Sequence, residues 1–225
     1  MPRFAAAVEA VRAHEPDAVL LSGDLAENAA DDEYEQLREL LEPLGVPAYV
    51  LPGNHDDAGA LQRHFAVPDP VRYSVGLGPL RLVVLDSTIP GADDGALEPE
   101  QLEWLDAELT AAPEALTLIA MHHPPFVTGM RPLDDLGIPG DDRRALAEVL
   151  ERHRQVRRIV AGHFHRAMTG DLAGRPVLTV PSTYVQFRLN FAAQEIEFAA
   201  VPAGFAVHAV VDGELISHIE PVEHA

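Results

Sequence analysis

The chain has 225 residues, 47% of them hydrophobic and 23% charged, which is ordinary globular composition and long enough for a core without covalent staples. Cysteine is absent, which excludes disulfides, thiolate zinc sites and a cysteine nucleophile. With 16 Lys+Arg against 36 Asp+Glu the net charge is −20, which repels nucleic acid but admits a small phosphorylated substrate where metal ions supply local positive charge.

No apolar run approaches the ~18 residues of a membrane helix, and Glu9 and Arg12 interrupt the segment where a signal peptide needs unbroken apolar residues. The expectation is a soluble, cytoplasmic protein with neither membrane nor nucleic-acid partners.

Taken in chain order, Phe4, Val8 and Val11 predict a first helix, and Ala18–Leu21 a short strand ending in Ser22-Gly23-Asp24. Tyr34, Leu37, Leu40 and Leu41 share a helical face, and the acidic run 31–33 suits its first turn. Strand Ala48–Leu51 ends in Gly53-Asn54-His55-Asp56, and strand Leu82–Leu85 in Asp86-Ser87. A helix carrying Leu102, Leu105 and Leu109 follows Pro99. Strand Leu116–Met121 ends in His122-His123-Pro124-Pro125. Residues 88–99 and 128–140 read as loops, the second as a lid. A helix with Leu146, Val149 and Leu150 is capped by Asp141 or Asp142, strand Arg158–Ala161 ends in Gly162-His163-Phe164-His165, and Val177–Val180 forms a further strand. Residues 206–219 read as a hairpin around Asp212-Gly213. Strands apolar on both sides and alternating with helices predict an α/β fold. The whole chain, 1–225, reads as one domain, with 181–225 its β-rich end.

Five strands thus deliver metal-ligand side chains to one sheet edge, where open α/β sheets bind ligands. Asp24 can bridge two cations, Asn54 offers a neutral oxygen, and His163 and His165, two apart, project to one side of an extended segment. Glycines before Asp24, Asn54 and His163 allow sharp turns out of the strands.

Gly23-Asp24, Gly53-Asn54-His55-Asp56, His122 to Pro125 and Gly162 to His165, in this order, resemble the motifs of the calcineurin-like metallophosphoesterases. Leu85 to Ser87, the helix around Trp104 and Pro181 to Thr183 are most similar to the bacterial class III cyclic nucleotide phosphodiesterase branch, which includes glycerophosphodiesterases. The resemblance implies a four-layer α/β/β/α sandwich of two mixed sheets and a metal-dependent phosphodiesterase acting on a small diester through a metal-bound hydroxide. It further implies that Asp24 bridges two divalent ions (Mn, Fe, Zn or Co), that Asn54, His122 and His163 complete one site, that His165 belongs to the other, and that His55 steadies the transition state or protonates the leaving oxygen. A phosphomonoesterase and a catalytically impaired metal-binding protein are the alternatives, and a homodimer is left open.

One departure matters. The family begins with a strand ending in Asp-x-His, and this sequence has none. Glu9, His14, Glu15 and Asp17 are the only candidates upstream of Asp24. Three explanations compete: a natural start upstream of Met1, which is favoured, a strand supplied by another chain, or a site decayed to one ion; in each the missing first strand is expected to expose apolar surface on its neighbours and on the Phe4 helix. Beyond the motifs, His123 reads as a packed neighbour of His122, Arg166 as an exposed arginine, Asp56 as orienting His55 or capping the next turn, and Asp86 and Ser87 as either a strand-end cap or substrate contacts. His14, His64, His153, His208, His218 and His224 read as surface or satisfied core residues. Phe187, Leu189, Phe191 and Phe198 are either core or a dimer surface.

Overall fold

The computed structural model describes residues 2–222. Helix α1 (Pro2–Arg12) leads to β1 (Val19–Leu21), α2 (Asp31–Leu41), β2 (Ala48–Val50), α3 (Ala58–Phe65), β3 (Tyr73–Leu77) and β4 (Leu80–Val84). Then come α4 (Pro99–Ala111), β5 (Thr117–Met121), α5 (Arg131–Asp134), α6 (Gly140–Glu151), β6 (Val156–Ala161), β7 (Met168–Leu172) and β8 (Arg175–Thr179). Strands β9 (Gln186–Phe187), β10 (Phe198–Ala199), β11 (Gly204–Val211) and β12 (Glu214–Pro221) complete the order.

The main sheet runs β3-β4-β5-β6-β8-β7. Its four inner strands are parallel and its two edge strands antiparallel to their neighbours. One face packs Val83, Leu85, Ile119 and Ile159 against Leu102, Leu105 and Leu109 of α4 and Leu146, Val149 and Leu150 of α6. The other packs Leu82, Val84, Leu118 and Val160 against Leu51, Leu20 and Tyr49 and against Leu215 of the hairpin. Burial on both faces is why the inner strands read as unbroken apolar runs. Burying one such leucine or isoleucine stabilises the fold by about 1.5–3 kcal/mol.

The second layer is not one sheet. β1–β2 form a parallel pair and β11–β12 an antiparallel pair, and the two are separate. The expected exposure of apolar surface beside β1 and on α1 does not follow. Ala7 and Val8 are buried, and Phe4 packs with Leu37, Leu41 and Leu21 against α2. The exposed large hydrophobics lie elsewhere, among them Val127, Tyr184, Leu189, Phe191 and Phe198.

Residues 128–140 are a tethered segment rather than a free lid. The Asp134 carboxylate accepts from Thr128 N, Thr128 Oγ1 and Gly129 N, while Met130, Leu133 and Ile138 are buried. Nor do Asp141 and Asp142 cap α6, since Pro139 holds that place and Asp142 instead accepts from Leu97 N at 2.8 Å. Among the described residues no helix is long and apolar enough to cross a membrane.

Candidate metal centre

Strand ends β1, β2, β5 and β6 bring Asp24, Asn54, His122 and His163 into contact. His122 Nε2 lies 3.1 Å from Asn54 Oδ1, 3.4 Å from Asp24 Oδ2 and 3.2 Å from His163 Nδ1. The opposite nitrogen of each ring is spoken for. His122 Nδ1 donates to the Ser22 carbonyl at 2.7 Å, and His163 Nε2 donates to the Leu136 carbonyl at 3.1 Å. Carbonyls only accept, so in the neutral rings the lone pairs of His122 Nε2 and His163 Nδ1 face each other and two side-chain oxygens. Four acceptor positions converging in this way fit a cation; burial works against charge on His122, but the hydrogen bond and charge of Asp24 raise its pKa, so a proton on Nε2 competes for the same place. The backbone partners fix each tautomer as second partners of metal-bound histidines do.

Burial works against charge on Asp24, yet the hydrogen bond and charge of His122, with the His55 amide at 3.2 Å, hold its carboxyl well below the usual range. Burial and the neighbouring His122 push His163 far down, keeping it neutral.

The backbone is bent to make this possible. Asp24, His163 and His165 all have positive φ, at 55°, 61° and 46°. Left-handed backbone in non-glycine residues clusters at functional sites. The His163–His165 turn is therefore not extended. The His163 ring meets His122, whereas the His165 ring stacks on Phe187 at 4.4 Å. No hydrogen bond joins His165 to the other four side chains among the described residues; its pKa is lowered by burial, with the charges of Asp24 and His122 also acting on it. Its Nδ1 is buried and without a hydrogen-bond partner among the described residues.

The glycines do two different jobs. Gly23 has φ +93°, the turn expected, but Gly53 and Gly162 lack positive φ. They permit close approach instead. A Cβ on Gly53 would run into the Asp24 carboxylate and amide, and one on Gly162 would sit 2.6 Å from the Ser22 carbonyl.

Asp56 neither orients His55 nor caps a helix. Its carboxylate accepts from Leu25 N (3.0 Å), Ala26 N (3.1 Å), Gly53 N (2.9 Å) and Tyr34 Oη (3.1 Å), tying the Asp24 loop to the Asn54 loop. Asp57 supplies the α3 cap, accepting from Ala60 N at 2.7 Å. The exposed His55 ring is held by Nδ1 donating to the Glu27 carbonyl at 3.2 Å.

His123 lies within the same cluster of imidazoles, but both its nitrogens are engaged. Nδ1 pairs with Ser87 Oγ at 2.9 Å and Nε2 donates to the Asp93 carbonyl at 3.2 Å, while burial pushes its pKa down to about 3. Asp93 in turn takes a long hydrogen bond, 3.4 Å, from Asn54 Nδ2. That leaves Asn54 Oδ1 toward His122. Sequence reasoning missed Asp93, since only the fold brings residue 93 to residue 54. Asp86 caps its own strand end through Thr88, accepting from its amide at 2.8 Å. Arg166 is not exposed: its Nη1 donates to the Phe187 carbonyl at 2.6 Å.

Upstream of Asp24, Glu9 pairs with Arg12 at 2.8 Å and His14 packs edge-on to Phe205, so both are engaged away from the cluster. His64 pairs with Asp31 at 2.8 Å and His153 with Asp106 at 2.6 Å, as satisfied residues do, and His224 lies outside the described residues.

Known proteins resemble this chain in sequence and in fold. A probable cyclic nucleotide phosphodiesterase of Synechococcus sp. is 37% identical over 190 residues, 83% of this chain and 72% of that protein. A probable glycerophosphodiester phosphodiesterase of Arcobacter nitrofigilis is 34% identical over 200 residues, 86% and 73% respectively. Among solved structures, a dimetal phosphatase from Danio rerio superposes with TM-score 0.66 at 18% identity, over 81% of this chain and 77% of that one. A purple acid phosphatase from yellow lupin gives 0.75 at 16%, over 99% and 47%. These two share the fold. Residues 1–167, which carry all four motifs, match the Calcineurin-like phosphoesterase family, and with these relatives the chain belongs to that family.

Proposed function

We propose that the protein is a metal-dependent phosphodiesterase whose cation is held by Asp24, Asn54, His122 and His163. The supporting observation is the convergence of four acceptor atoms, each oriented from behind by a fixed partner. The names of the relatives at 34–37% identity support a cyclic nucleotide or glycerophosphodiester as substrate class. Oxygen and imidazole donors without thiolate suit manganese, iron, zinc or cobalt.

Divalent ions bound here supply Lewis acidity toward the phosphoryl oxygens and an activated water at neutral pH. The chain's own residues do the rest. The Ser22 and Leu136 carbonyls hold the far nitrogens of His122 and His163, which leaves the near nitrogen of each ring to face a cation. Asp24 stays ionised. His55, with Nδ1 committed to Glu27, has Nε2 left to hold a proton for the leaving oxygen or to meet charge on the phosphoryl group. His55→Ala is expected to slow hydrolysis of an activated diester by about 10²-fold while metal content stays at the wild-type value. Equal activity in the variant removes His55 from the mechanism. Bis(4-nitrophenyl) phosphate against 4-nitrophenyl phosphate tests the class: faster cleavage of the diester is expected, and the reverse order makes the protein a phosphomonoesterase.

A second reading has one observation in its favour. The hydrogen-bonded set of Asp24, Asn54, His122 and His163 does not include His165, and four donors suffice for a single ion. A one-ion protein would bind metal and turn over slowly.

A further inference from the structure

A cavity of about 650 Å³ begins one residue past His165 and two past His123. Pro125, two residues past His123, and Arg166, one Cα step (~3.8 Å) past His165, belong to its wall. Phe187 joins the two places: its ring covers His165, its carbonyl takes Arg166 Nη1, and Leu189 and Phe191 follow it as the outer wall. This volume suits a small-molecule group.

The lining combines a cluster of exposed apolar side chains with the polar Thr128, Arg143, Thr169 and Asp171. Val127, Leu189 and Phe191 are 59%, 53% and 67% exposed, yet all three line this one cavity together with Phe126 and Met168. Large apolar side chains left open together mark a binding surface. Arg166 adds a guanidinium whose Nε is buried without a hydrogen-bond partner among the described residues. A planar guanidinium and a thioether both favour an aromatic face.

We propose that this cavity receives an aromatic ester group of the diester whose phosphorus lies at the donor cluster. The proposal rests on the phosphodiesterase reading and deepens it. Leu189 and Phe191 then set specificity, favouring an aromatic arm over a glycerol arm.

Two diesters with one leaving group test it: bis(4-nitrophenyl) phosphate and methyl 4-nitrophenyl phosphate, on the manganese-loaded protein. The ratio of their kcat/KM values, variant against wild type, cancels intrinsic reactivity. Leu189→Ser and Phe191→Ser, both at exposed positions, are expected to lower the aryl-to-methyl ratio on the order of tenfold. An unchanged ratio overturns the proposal. So does a concentration-dependent dimer in sedimentation that Phe191→Ser dissolves without changing the ratio, which would make the face an interface between copies. If the wild type cleaves neither diester, the phosphodiesterase reading fails, and calorimetric binding of diphenyl phosphate decides the cavity alone. Binding lost in Phe191→Ser upholds it. Binding absent in the wild type, or equal in both, removes it.

Discussion

Replacing Asp56 with alanine is expected to destabilise the protein by about 4 kcal/mol and to abolish metal retention. The carboxylate satisfies the amides of Leu25, Ala26 and Gly53 and the hydroxyl of Tyr34. Each buried donor left unpaired costs about 1–3 kcal/mol. Water entering the hole would recover part of that, so the lower end of the sum is the reasonable expectation. The larger effect falls on function. Asp56 is what holds the loop bearing Asp24 to the loop bearing Asn54, so its loss lets two of the four donors drift apart. Asp56→Asn keeps the shape and one accepting oxygen, and should lose less on both counts. Denaturant midpoints and manganese content of the two variants check this. Wild-type metal content in Asp56→Ala would show that the loops hold themselves.

Gly53→Ala is expected to be as damaging, for a steric reason. The added methyl meets the Asp24 carboxylate and the Asp24 amide together. A side chain can swing away, but a main-chain nitrogen moves only with its loop. Overpacking of this kind typically costs about 1–3 kcal/mol, and here the displaced carboxylate is itself a proposed ligand, so metal binding and turnover should fall together. Gly45→Ala is the matched control. Its φ of +66° strains any side chain, yet nothing lies within 4 Å of the new methyl. About 1 kcal/mol of stability and none of the metal should be lost there. Loss of metal in both variants would mean that general destabilisation, not the Asp24 collision, is the cause.

How much of this was legible in the sequence follows from where each feature gets its energy. Inner strands β4, β5 and β6 are buried on both faces, so burial wrote them as apolar runs. The hairpin was legible because Asp212-Gly213 can take the positive φ values, 52° and 82°, that its tight turn needs. Edge strands β3 and β7 were not, since Gly76, Gly170 and Asp171 break their alternation. Helix α3 is only eight residues long, although its Asp57 cap was a readable signal.

The four proposed ligands were legible because each ends an apolar run. What orients them was not. Asp56 takes its donors from residues up to 31 positions away, and His123 reaches Asp93 across 30. The left-handed turn at His163 and His165 overrode the extended spacing that would have aimed both rings one way. The Phe4 helix, expected to be bared, found cover on α2 because its apolar face matched Leu37 and Leu41.

The central claim is that Asp24, Asn54, His122 and His163 form a cation site. The most direct measurement is manganese per chain, by elemental analysis after loading and desalting, in the wild type and in His163→Ala. At least one ion per chain in the wild type, falling close to zero in the variant, is the predicted result. No retained metal in the wild type, or equal metal in both proteins, would contradict it.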